Sequence, residues 1–323
     1  MIDKSEIQKQ LDFTLMETSL DGLGKLYRGK VRDNYSKDGK RIIITTDRIS
    51  AFDVVLGTIP FKGQVLNQMA RFWFDKTGHI IGNHMLDHPD PNVLVAKECT
   101  PLPVEMIVRG YITGVTNTSA WTHYKNGIRN FCGNILPEGL KKDQKLDMPI
   151  VTPQTKAEHG GHDESVSKEE ILKRKIVSEQ DYDLMSEASL KLYEKGVEIA
   201  AKQGIILVDT KYEFGRDESG NIILIDEIHT PDSSRFWFAE GYEERFKKGI
   251  EQKKIDKEYV RKWLADRGFT GSGVQPELTD EVRINAARKY IEAYELITGD
   301  QFSSDTGDMK TRIENNLRHG GYL

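Results

Sequence analysis

Cysteine is nearly absent. The 323 residues contain two, Cys99 and Cys132, with no CxxC spacing. That pattern excludes a disulfide framework and a thiolate metal cage, and it fits a reducing compartment. Long apolar runs are missing too. None approaches the ~18 residues needed to span a bilayer, and the start M-I-D-K-S-E-I-Q-K-Q is polar and mixed in charge. An excess of positive charge is also lacking. Lys and Arg number 46 against 51 Asp and Glu, a net charge of −5, so electrostatics gives no reason to expect a nucleic acid or a membrane surface as partner. No internal repeat or low-complexity tract interrupts the chain. What remains fits a cytoplasmic globular protein, long enough for a sizeable core and two lobes.

The densest chemistry lies between Leu207 and Trp237. Asp209, Lys211 and Glu213 alternate with Thr210, Tyr212 and Phe214, and a period of two predicts a half-buried strand. Ile222 to Ile225 reads as its partner, with a turn at Glu218-Ser219-Gly220-Asn221. If Ser219-Gly220 is a two-residue loop, Glu213 faces Asp226 with Cβ atoms roughly 4.5–5.5 Å apart. Two carboxylates that close repel unless a cation lies between them. Mg²⁺, held by one or two carboxylates plus substrate phosphates, is the usual answer. A solvated acidic edge in another register accounts for the same residues, and spacing does not choose between the two. Beyond the hairpin, H-T-P-D-S-S-R brings Ser233, Ser234 and Arg235 together in a loop suited to an oxyanion or phosphate.

Earlier in the chain, Gly24-x4-Gly29-Lys30 begins like a P-loop. Val31 replaces the required hydroxyl, and a strand, Arg41 to Thr46, follows where a P-loop needs a helix. The alternative is a glycine-rich hairpin over nucleotide phosphates, as in protein kinases; an ordinary basic hairpin also fits. The buried strand Ile42 to Thr46 delivers D-R-I-S-A-F-D, Asp47 to Asp53, a mixture of acid, base and hydroxyl that suits a site. Gly63 to Gly78 reads as a helix. Strands at Asn92–Lys97 and Val104–Val108 flank C-T-P-L-P, a stiff connector and candidate hinge. Arg109 then stands at a strand end as a candidate phosphate or carboxylate clamp, or simply as a surface arginine. Gly127 to Pro153 reads as loop, and Lys156 to Glu164 as a substrate-facing loop. Ser167-x-x-Glu170 and Ser178-x-x-Asp181 cap helices that run to Gly204. A helix followed by a parallel-type strand suggests an α/β lobe. Glu240–Arg267 and Thr279–Gly299 predict further helices, ahead of a polar tail.

Six segments, in order, resemble the SAICAR synthetase family of purine biosynthesis. They are Y-R-G-K-V-R-D-N-Y (Tyr27–Tyr35), T-T-D-R-I-S-A-F-D (Thr45–Asp53), P-V-E-M-I-V-R-G-Y-I-T-G (Pro103–Gly114), T-K-A-E-H-G-G-H-D-E (Thr155–Glu164), V-D-T-K-Y-E-F-G (Val208–Gly215) and D-E-I-H-T-P-D-S-S-R (Asp226–Arg235). The resemblance implies an α+β or α/β protein of two lobes. Residues 1–100 would form a kinase-like antiparallel β lobe covering the nucleotide. Residues 101–323 would form the substrate- and metal-binding lobe with the C-terminal helices, and ATP would lie in the cleft. It implies a ligase that joins L-aspartate to carboxyaminoimidazole ribonucleotide with ATP and Mg²⁺. Gly29, Lys30, Val31, Arg32 and Glu105 would bind ATP, with Lys30, Lys211 and Arg235 catalytic. Glu213 and Asp226 would hold the metal. Arg109, Ser119, Asp232, Ser234 and Arg235 would hold the ribonucleotide, and Lys156, His162 and Asp163 would border aspartate. One departure stands out: the family signature ends in Gly-Ser, whereas this chain has Gly114-Val115, with a hydroxyl only at Ser119. A kinase-like small-molecule phosphotransferase and a non-catalytic nucleotide-binding module are the rival readings. The first is opposed by the absence of H-R-D and D-F-G elements.

Overall fold

Residues 2–51, 54–116, 118–155, 164–255, 259–271 and 273–323 are described by a computed structural model. The chain forms two compact units. One comprises Met1–Asp75, His84–Glu98 and Asp256–Leu323; the other comprises Lys76–Asn83 and Cys99–Ile255. The expected division at residue 100 differs from this at the C-terminus, because the last helices fold with the first unit.

The first unit contains β1 (Lys25–Arg28), β2 (Arg32–Lys37), β3 (Lys40–Thr45), β4 (Arg48–Ala51), β5 (Val54–Thr58), β6 (Met85–Asp90) and β7 (Val93–Lys97). Five of them form an antiparallel sheet in the order β1-β2-β3-β7-β6, while β4 and β5 make a separate hairpin. The β-branched run in β3 supplies Ile42 and Ile44 to a core with Tyr35, Val93 and Val95. Met309, Ile313 and Leu317, one face of the helix Met309–His319, complete that core. The Arg312 guanidinium grips Asp90 with two hydrogen bonds of 2.9 and 3.0 Å. This packing is why the polar tail belongs to the first unit. Gly24 has φ +93°, and a Cβ there would lie 2.3 Å from Ser36 O. The fold itself therefore demands glycine at that position.

The second unit contains β8 (Thr100–Ile112), β9 (Asn130–Phe131), β10 (Asn134–Ile135), β11 (Gln144–Val151), β12 (Gln154–Thr155), β13 (Glu164–Ser165), β14 (Ile205–Arg216), β15 (Ile222–Ile225) and β16 (Ser234–Phe238). Its main sheet runs β13-β12-β8-β14-β15, with β11 also on β8 and β16 also on β14. Every ladder between these strands is antiparallel, so the α+β reading holds and the parallel strand expected after the helix does not occur. The proline connector is part of β8, with Pro101 opposite Gly215. Both prolines sit near the strand's start, where a missing donor is tolerated.

The predicted caps are present. Ser167 and Glu170 form a reciprocal capping box, and Ser178 caps the helix Glu179–Lys202. That helix lies on one face of β14. Gly196 permits the approach, since a Cβ there would come within 2.5 Å of His229 and 2.7 Å of Leu207. On that face Thr210, Tyr212 and Phe214 are buried, and Tyr212 Oη bonds His229 Nε2 at 2.5 Å. Burial alone takes the His229 imidazole down to about 3, so it is a neutral anchor for the following loop. Asp209, Lys211 and Glu213 occupy the opposite face, as the alternation requires.

Candidate active site

On the second face of β14, the ladder with β8 sets Asp209 opposite Arg109, Lys211 opposite Ile107 and Glu213 opposite Glu105. The ladder with β16 sets Asp209 opposite Arg235 and Thr210 opposite Ser234. Asp209 and Glu213 stand four positions apart along β14, roughly 13 Å of rise. One sheet face thus has a cationic end and an acidic end.

At the acidic end, the register differs from the expected one. Glu213 faces Ile225, and Arg216 faces Ile222. The loop has three residues rather than two. Asp217 N donates to Asn221 O at 3.0 Å, Gly220 N donates to Asp217 O at 2.9 Å, and Gly220 takes φ +81°. The Asp217 carboxylate causes the slip by accepting from Ser219 N and Asn221 N, both at 3.0 Å. This Asx-type capture lengthens the turn by one residue. The carboxylate directly opposed to Glu213 is therefore Glu105, not Asp226. The cation between them is the protein's own Lys211, whose Nζ bonds Glu105 Oε1 at 3.0 Å and also Glu213 Oε1.

Asp226 follows the end of β15 with φ +66°. That left-handed turn, rather than strand alternation, directs its carboxylate, and Asp tolerates it better than most residues. Asp226 still acts on Lys211. Burial disfavours the ammonium, but Glu213, Glu105 and Asp226 outweigh it and raise Lys211 above the ordinary lysine value. The ladder between β14 and β8 shifts register just past Glu213. Such bulges re-aim side chains next to sites.

At the cationic end, Asp209 joins two arginines. Its Oδ1 accepts from Arg235 Nε at 2.8 Å, its Oδ2 also accepts from Arg235, and Arg109 Nη1 reaches Oδ2 at 3.4 Å. Arg109 is buried, and its Nε donates to Thr152 Oγ1 at 2.8 Å. Burial lowers the Arg109 guanidinium from its usual value, Asp209 opposes that shift, and Arg235 adds to it. Arg109 is therefore a paired interior residue, whereas Arg235 is more exposed, its side chain at 38% against 5%. Asp209 was legible in the alternating row but received no role there.

Gly114 (φ +101°) lies against both Ser119 and Arg235, since a Cβ there would be 2.4 Å from Ser119 Cβ and 2.8 Å from Arg235 Nη1. Val115, at the position where the family has serine, is 79% exposed. Ser119 Oγ donates to Thr116 O at 2.7 Å and bonds Thr122 Oγ1 at 2.9 Å. In the following loop, Ser234 Oγ bonds Thr210 Oγ1 at 2.7 Å, and Asp232 N donates to Thr230 Oγ1 at 3.2 Å. Lys156, His162 and Asp163 lie outside the described residues, as does Asp53.

Within the first unit, the glycine turn lies between β1 and β2. Lys30 is exposed, and Gly29, Val31 and Arg32 are half-buried. Gly29 N donates to Arg32 O at 2.8 Å. A Cβ on Gly29 would meet only Arg32 O, at 3.4 Å. Unlike Gly24, Gly29 is not required by the protein's own packing, which leaves close approach of something else as a reason for glycine.

Among the described residues no group of three or more His, Cys, Asp or Glu forms a metal cage, and no helix is long and apolar enough to cross a membrane. A model of the SAICAR synthetase family matches residues 25–277. A phosphoribosylaminoimidazole-succinocarboxamide synthase of Legionella pneumophila (strain Lens) is 48% identical over 312 residues, covering 96% of this chain and 99% of that protein. One from Bacteroides fragilis (strain YCH46) is 51% identical over 309 residues, covering 94% and 97%. Among solved structures, the SAICAR synthase of Saccharomyces cerevisiae complexed with SAICAR is similar at a TM-score of 0.78 and 36% identity, covering 90% of this chain and all of that one. A SAICAR synthetase in complex with ADP is similar at 0.64 and 26%, covering 87% of this chain. With matches of this extent beside the two-ended sheet face, the chain belongs to the SAICAR synthetase family.

Proposed function

We propose that this protein is a cytoplasmic ATP-dependent ligase that joins L-aspartate to the carboxylate of carboxyaminoimidazole ribonucleotide, giving SAICAR, ADP and phosphate in purine biosynthesis. The observation that carries the reading is the sheet face itself, cationic at Arg109–Asp209–Arg235 and acidic at Glu105–Lys211–Glu213. A substrate with a phosphate at one end and a reacting carboxylate at the other suits such a face.

The chemistry follows from the weakness of a carboxylate as an electrophile. A carboxylate oxygen attacks the γ-phosphorus of ATP, and the bond to ADP breaks. The acyl phosphate then carries a leaving group. The aspartate amine attacks its carbonyl carbon, phosphate departs with the original carboxylate oxygen, and the amine loses a proton. The first step needs in-line positioning and charge neutralisation more than a strong base. Lys211 would sit at the reacting carboxylate and offset its charge. Arg235 and Ser234, with Arg109 behind and Ser119 beside, would grip the ribonucleotide phosphate, and Asp232 would contact its base. Lys156, His162 and Asp163 would border aspartate. Gly29, Lys30, Val31 and Arg32 would contact the ATP phosphates, with Glu105 also on the nucleotide.

Glu213 and Asp226 fit a hard cation. The donor set is all carboxylate, without sulfur or imidazole, and it is too small for a closed cage, which suits Mg²⁺ completed by phosphate oxygens. Such an ion would neutralise phosphate charge.

An assay with ATP, aspartate and the carboxylated ribonucleotide tests the proposal. ADP and amide should form in equal amounts, and only when all three are present. ADP formed without aspartate would make the protein a phosphotransferase. Nucleotide binding with no turnover would make it a binding module.

A further inference from the structure

The segment Asp47–Asp53 has no part in the scheme above, yet Arg48 reaches the glycine turn. Arg48 opens β4 and is 6% exposed. Its Nε donates to Lys30 O at 2.9 Å, and its Nη2 donates to Gly29 O at 3.0 Å and to Asp33 Oδ1 at 2.8 Å. Nη1 donates to Met16 O at 2.5 Å. Asp33 is fully buried, and its other oxygen accepts from Thr18 N at 2.6 Å and Thr18 Oγ1 at 2.9 Å. The next carbonyl, Val31 O, accepts from Thr46 N at 3.0 Å and Thr46 Oγ1 at 2.8 Å. Three successive carbonyls of the turn are thus bound from within the first unit.

In a trans peptide the C=O and the following N–H point in opposite directions, and no cis bond occurs among the described residues. With Gly29 O and Lys30 O held by Arg48, the N–H groups of Lys30 and Val31 point away from it. Successive amides turned to one side make an anion-binding concavity. We propose that Arg48 is a positioning residue that locks the Gly29–Val31 turn with carbonyls inward, so that the Lys30 and Val31 amides face the nucleotide phosphates. Without it either peptide could rotate and present an oxygen to the phosphates instead. The inference rests on assigning this turn to ATP.

Steady-state kinetics of Arg48→Gln, Arg48→Lys and Lys30→Ala, with melting curves, test both. Arg48→Gln should raise KM for ATP about tenfold, the cost of losing one charge-assisted hydrogen bond, with KM for the ribonucleotide and aspartate unchanged. Arg48→Lys should recover part of the loss. A folded Arg48→Gln with unchanged KM for ATP, or with all three KM values raised equally, overturns the proposal. If Lys30→Ala also leaves KM for ATP unchanged, the assignment of the turn to ATP fails and takes the proposal with it. Should Arg48→Gln not fold, ADP titration of the ¹⁵N-labelled unaltered protein decides. The Lys30 and Val31 amide resonances should shift, and saturation by ADP without a shift at either overturns the proposal.

Discussion

Two regions of the molecule rest on a buried arginine and use it in opposite ways. In the first unit Arg48 turns its guanidinium onto backbone carbonyls and one buried carboxylate. On the proposed reading, the surface left for the nucleotide is the Lys30 and Val31 amides together with the Lys30 ammonium. In the second unit Arg109 sits in a row with Asp209 and Arg235, of which Arg235 is the exposed member, and on the proposed reading the side chains themselves meet the ligand. A site made of side chains fails when one functional group is removed. Backbone amides cannot be removed by substitution, so their contribution is lost only when their support goes. Single substitutions should therefore remove chemistry on the sheet face and loosen binding at the turn.

The largest effect should come from the acidic end. Glu213→Gln or Asp226→Asn should lower kcat by about 100-fold or more, since on the proposed reading each removes charge that would organise a transferring phosphoryl group. Both variants should keep a cooperative melt, because both residues are only partly buried and neither belongs to the apolar core. A collapse of melting would instead make them structural. Next in size is Asp209→Asn. It loosens Arg235 and Arg109 together, so KM for the ribonucleotide should rise about tenfold to 100-fold, as expected for a buried charge pair broken on one side, while KM for ATP stays unchanged. Equal losses for both substrates would erase the distinction between the two regions. Arg109→Lys should cost less, about tenfold in ribonucleotide KM, because a point charge cannot hold Thr152 and Asp209 with a planar fork.

The smallest effect lies beside Arg48. Asp47 is fully buried and accepts from Leu15 N and Gly63 N, both at 2.9 Å. Burial outweighs those bonds and raises its carboxyl to about 6. A carboxyl raised in the folded state adds stability that is complete below its unfolded value of 3.8 and fades as pH rises through about 6. Denaturant melts between pH 4 and 7 should show this loss, and Asp47→Asn should flatten it. An unchanged slope in that variant would assign the pH dependence elsewhere.

Much of the sheet face was legible because its signals are local. The alternation from Asp209 to Phe214 gives the two faces of β14. Ser167 with Glu170, and Ser178, mark helix starts through bonds to residues three positions away. What failed was decided by distant or competing contacts. The hairpin register turned on the Asp217 carboxylate capturing two amides. β11 was hidden by Pro149 and its charged residues, which lower strand propensity even though β8 pairs with it. Met309, Ile313 and Leu317 carry a helical spacing in the tail, but their partners on β2, β3 and β7 are more than 200 residues away in sequence. With the register slipped, the carboxylate that faces Glu213 is Glu105, and Lys211 bridges the two.

The most direct test of the central claim follows the oxygen. Carboxyaminoimidazole ribonucleotide labelled with ¹⁸O in its carboxylate should transfer one labelled oxygen to inorganic phosphate for each amide formed, because the carboxylate attacks phosphorus and its oxygen leaves with phosphate. Phosphate released without label, at the same yield of amide, would contradict activation of the carboxylate by phosphoryl transfer.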